Sequence, residues 1–200
     1  MKPVHAKITT SKQEITDLLI AWVIVSLAFG IVIRPLGISI FSNGAIKYIL
    51  IAAFTVGIGF LLHELAHKVV AQRYRCWAEF RADYTMLFLA LIMSFFGFVF
   101  AAPGAVMIFG NVTKRQNGLI SIAGPLTNIV LALLFIPFLF IPFSHEIATY
   151  GFMINAFIAL FNMIPFGFFD GAKIIKWSKV AYFATVAVAL GLTVLSFMVR

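Results

Sequence analysis

Six apolar stretches, at roughly residues 18–33, 48–62, 85–110, 119–143, 147–169 and 180–199, occupy almost the whole sequence. A helix needs about 20 apolar residues to cross the hydrocarbon core of a bilayer, and most of these stretches approach that length. With 62% hydrophobic and only 11% charged residues, and a mean hydropathy of +1.06, the chain reads as an integral membrane protein. The runs leave no room among these 200 residues for a separate soluble domain, so we expect one integral-membrane domain over residues 1–200. A formal net charge of +8 does not point to nucleic acid. The basic residues sit in short clusters beside apolar runs, where they orient helices by the positive-inside rule. Ser26-Leu27-Ala28 loosely resembles a leader cleavage site, but Glu14 and Asp17 stand where a leader is uniformly basic, and a retained span is expected.

One short stretch breaks the pattern. In GFLLHELAHKVVAQRYRC, residues 59–76, an apolar run ends on His63, Glu64 and His67 before a cluster of arginines. Residues four apart on a helix lie about 40° apart around the axis and about 6 Å along it, so both imidazoles can face one ion with Glu64 beside them. H-E-x-x-H is a zinc-hydrolase arrangement. Only four histidines occur in the chain, and two fall at ligand spacing where uncompensated polarity is costly, which favours metal binding over chance. Cys76 is the only cysteine, which excludes an intrachain disulfide and a multi-thiolate site. A catalytic zinc takes three protein ligands and keeps one position open. The third ligand must therefore come from His5, Glu14, Asp17, Glu79, Asp83, His145, Glu146 or Asp170. Asp170 is the favoured candidate, because it ends the fifth apolar run in FNMIPFGFFDGAK, where Pro165 and two glycines can break the helix and present a side chain.

Three motifs in order, HELAH at 63–67, SIAGPLTN at 121–128 and NMIPFGFFDG at 162–171, make the chain resemble the site-2 protease family of intramembrane zinc metalloproteases. The resemblance covers about residues 46–179. It implies that His63, His67 and Asp170 bind Zn²⁺, that Glu64 is the catalytic base and that Asn162 lies close to the site. It also implies transmembrane protein substrates, and a compact form without the PDZ or CBS domains that members often carry. Within SIAGPLTN, Ala123 and Gly124 read as small residues for close helix packing, and Asn128 is placed to hydrogen-bond across helices near the site.

Topology follows from the metal site. If residues 85–110 crossed the membrane, Asp170 would fall on the face opposite His63, although ligands must approach one ion to about 2 Å. A re-entrant 85–110 with a cytosolic N-terminus places twelve of the 15 Lys and Arg residues inside, leaving Arg34, Lys47 and Arg200 outside; a full crossing gives eight to seven. The expected fold is therefore an all-α polytopic membrane protein of about five transmembrane helices plus a re-entrant segment. That segment must satisfy its own backbone, as a β-hairpin or a broken helix. Buried His and Asp also mark ion pathways, so a metal transporter or other metal-binding membrane protein is the competing reading.

Overall fold

The computed structural model describes residues 8–99 and 103–199. Lys2, His5, Lys7 and Arg200 lie outside them, as do residues 100–102 of the expected re-entrant segment. Helix α1 (Lys12–Ile33) starts where the Ser11 hydroxyl accepts from the Glu14 N–H. Helix α2 (Asn43–Arg73) runs for 31 residues with one π turn at Ala53–Gly57, where the Ala53 carbonyl also accepts from Trp22 Nε1 of α1.

The end of α2 is a Schellman motif. Arg75 adopts φ 63, its N–H bonds the Gln72 carbonyl at 2.9 Å, and the Cys76 N–H reaches the Ala71 carbonyl at 3.2 Å. The chain then turns directly into strand β1 (Trp77–Ala82). Helix α3 (Tyr84–Ser94), capped by the Asp83 carboxylate, leads towards strand β2 (Gly104–Phe109). The strands pair antiparallel, with Phe80 opposite Val106 and Ala82 opposite Gly104.

Helix α4 (Lys114–Phe140) opens with a capping box between Thr113 and Gln116 and closes in a 3₁₀ turn at Ile136–Phe140. It is followed by α5 (His145–Asn162), α6 (Asp170–Trp177) and α7 (Lys179–Met198). Among the described residues four helices, α1, α2, α4 and α7, are long and apolar enough to cross a membrane. At 18 residues, α5 carries His145, Glu146, Asn155 and Asn162, and its Phe152, Ala156 and Ala159 are buried within the bundle.

The expected re-entrant segment needs correction in its pairing. The β-hairpin exists, but only its second strand falls within residues 85–110, and α3 is part of the connection. The first strand is WAEFRA, in the arginine-bearing loop. At 11 residues α3 is about 16 Å long, half a hydrocarbon core. Its Leu87 packs with Ala21, Val25, Phe60 and Phe80, so an apolar composition that resembles a span serves mainly to pack α3 against α1.

Candidate metal centre

The two histidines lie one turn apart on α2, and Asp170 is the first residue of α6. The turn before α6 is tight: a Cβ at Gly171 would run into the Met163 and Ile164 carbonyls, so only glycine lets the chain fold back here. Asp170 Oδ2 thereby comes to 3.3 Å from His63 Nε2 and 3.1 Å from His67 Nε2, and all three residues are buried. Bonds of about 2.0–2.2 Å to a tetrahedral zinc separate its ligand atoms by about 3.3–3.5 Å, so these three atoms fit one ion. Among the described residues, this is the group of three donors able to hold a metal.

Each imidazole is held by its other nitrogen. His67 Nδ1 donates to the Ile120 carbonyl at 2.8 Å, which leaves Nε2 as the bare, ligating nitrogen. His63 Nδ1 contacts Asn128 Oδ1 at 2.5 Å. Asn128 Nδ2 donates to the Gly59 carbonyl at 3.2 Å and to Asn155 Oδ1 at 2.9 Å, and Asn155 Nδ2 in turn donates to the Gly151 carbonyl. These donations fix the Asn128 amide with its oxygen towards His63, so the His63 proton also sits on Nδ1.

The A-G-P segment belongs to the same site. A Cβ on Gly124 would press on both His63 Nε2 and His67 Nε2, so this glycine leaves the metal position clear rather than serving helix packing alone. Pro125 withholds an N–H from the Ser121 carbonyl, in the same turn as the Ile120 carbonyl that accepts from His67. The second oxygen of Asp170, Oδ1, lies 3.8 Å from Lys173 Nζ.

Glu64 is buried beside the ligands, and its Oε2 accepts from the Val106 N–H of β2 at 3.2 Å. The other candidate ligands are engaged elsewhere. Glu14, Asp17 and Glu79 bind around β1, Asp83 caps α3, Glu146 pairs with Lys47, and His145 Nδ1 donates to the Leu139 carbonyl. Asn162 turns back on its own helix, donating from Nδ2 to the Ile158 carbonyl at 3.1 Å.

Over 174 residues the chain is 41% identical to a protein of Methanocaldococcus jannaschii named "Putative zinc metalloprotease MJ0611", and the match spans 84% of this chain and 86% of that one. The chain belongs to the compact site-2 protease-like family of zinc metalloproteases. No family model and no solved structure matches it.

For this metalloprotease, sequence reasoning missed two contributors. Asn155 went unnoticed, although an amide inside an apolar run is costly unless it is bonded, which was the available signal. The Val106 N–H carries no side-chain signal at all.

Proposed function

We propose that the chain is an intramembrane zinc endopeptidase that hydrolyses peptide bonds within or beside transmembrane segments of other membrane proteins. The observation that carries this reading is the convergence of His63 Nε2, His67 Nε2 and Asp170 Oδ2 beside a buried Glu64 on an apolar helix. His63, His67 and Asp170 would hold the ion and leave a position for water. When bound, zinc lowers the pKa of water and polarises a scissile carbonyl.

The chain's own groups supply the rest. Glu64 takes a proton from the attacking water and passes it to the departing nitrogen. Asn128 and the Ile120 carbonyl keep both imidazoles aimed and in one tautomer. A substrate helix protects its own amides, so it must unwind locally, and the exposed edge of β2 is placed to pair with the extended segment. The strand register supports this, because Val106 turns its N–H away from β1 and towards Glu64. Asn162 gives one Nδ2 hydrogen to the Ile158 carbonyl, and its second hydrogen is the one it would offer to substrate.

The depth of the site agrees with this chemistry. At a rise of about 1.5 Å per residue, about 24 Å of helix separate Lys47 from His63, and about 15 Å separate His63 from Arg73. In a hydrocarbon core about 30 Å thick the triplet lies towards the Arg73 end, where water can reach it. We assign that end to the cytosol by the positive-inside rule. With α1 running outward, α2 inward, α3 to β2 re-entrant, α4 outward, α5 inward and α7 outward, five helices cross.

Metal removal tests the proposal. Stripping zinc from the detergent-purified protein should abolish cleavage of a single-span model substrate, and one equivalent of zinc should restore it. Metal flux into liposomes with no cleavage under any loading would instead make the chain a transporter.

A further inference from the structure

The two-stranded sheet has two outer edges, and the structure treats them differently. Because Phe80 and Val106 face each other and both send their N–H groups outward, Ala78, Phe80 and Ala82 share one edge and Gly104, Val106 and Ile108 share the other. Side chains take up much of the β1 edge. Glu14 Oε1 accepts from the Phe80 N–H at 3.0 Å, Asp17 Oδ2 from the Ala82 N–H at 3.4 Å, and the Ala78 carbonyl accepts from Gln72 Nε2 at 2.9 Å. On the β2 edge, among the described residues, Val106 alone has a partner, and that partner is Glu64.

Glu14 does more than cap. Its other oxygen, Oε2, lies 2.5 Å from Lys68 Nζ, with both side chains buried, and Lys68 directly follows His67. The contacts close a ring: Lys68 to Glu14, Glu14 to the Phe80 N–H, Phe80 across to Val106, Val106 to Glu64, and Glu64 one helical turn back to Lys68. Replacing a buried ion pair by packed apolar residues is often neutral for stability, so stability alone does not account for this one. Within this ring the bond from the Phe80 N–H to Glu14 ties the strand pair to α1, and the strand pair in turn presents Val106 to Glu64, which fixes how far along the strand the Glu64 carboxylate sits.

We infer that Glu14, with Asp17, is a positioning residue of the protease: it blocks the β1 edge against strand addition and sets the register of the β2 edge against Glu64, and thereby selects which substrate bond is cut. The inference rests on the proposed protease function. Because strand faces repeat every two residues, loss of the register should displace cleavage by about two residues.

The test compares two double variants in the full-length protein. Glu14→Gln with Lys68→Met removes both charges but leaves an oxygen to accept from Phe80; Glu14→Leu with Lys68→Met removes the acceptor as well. Products of a single-span substrate are mapped by mass spectrometry, bound zinc is counted, and amide exchange is followed across residues 77–82 and 104–109. We expect the first variant to cut the wild-type bond. The second should keep its zinc, exchange the strand amides about tenfold faster and spread its cuts to bonds about two residues away.

A single unchanged bond in the second variant, loss of its zinc, or equal spreading in both variants would each overturn the positioning role. The exchange measurement needs no proteolysis. Absence of cleavage by the wild type would therefore count against the protease reading, while wild-type strand protection in the second variant would count against this inference.

Discussion

At the scale of single residues, the site is organised by groups that stand behind the candidate metal ligands. Asn128 holds His63 and is itself held by Asn155 and the Gly59 carbonyl, so its removal leaves an imidazole free to rotate and a buried amide unpaired. Asn128→Ala is expected to weaken zinc binding about 10–100-fold, measured by competition with a chelator, as for other outer-shell partners of metal ligands. Asn162→Ala, which loses only a bond to Ile158, should leave zinc affinity unchanged. That His63 and His67 face the same way was legible in the sequence, because helical spacing dictates where they point. Gly124 was not: a missing side chain leaves the same trace whether it admits another helix or a metal ion.

At the scale of elements, the sheet depends on parts far apart in the chain. Within WAEFRA, Ala78, Phe80 and Ala82 alternate with Glu79 and Arg81, but the run is short and its outer edge is satisfied by carboxylates more than 60 residues earlier, so the local pattern alone does not name its partner. The Schellman stop before it is hidden as well, since Arg75 stands where glycine is usual. Helix α3, by contrast, mimics a membrane span in composition and is betrayed only by its length.

The outward edge of β2 makes a sharp prediction at this scale. Val106→Pro removes an N–H that takes no part in the ladder, so the sheet should persist and zinc content should stay normal. Cleavage of a single-span substrate should fall at least about tenfold, because a proline offers this hydrogen bond neither to Glu64 nor to a paired substrate. Cleavage at the wild-type rate would show that substrate does not pair with this strand.

For the whole molecule, the bilayer and the metal impose opposite demands. Apolar helices are needed to fill the membrane, while hydrolysis needs water, charge and an open ligand position. The chain meets both by carrying α2 through the apolar region and grouping its polar side chains at one end, with Asp170 delivered by the return of α6 and the sheet packed below. The bundle and the helix of the triplet follow from hydropathy and spacing. The pairing of β1 with β2 follows from contacts between α1, α2 and the sheet, which no local stretch encodes.

The central claim is that Glu64 is the proton-transferring base of a zinc peptidase. The most direct measurement loads wild type and Glu64→Gln with zinc to equal stoichiometry and incubates each with the same single-span substrate. We predict full zinc binding by both and cleavage by the wild type alone; equal cleavage by the two would contradict the account.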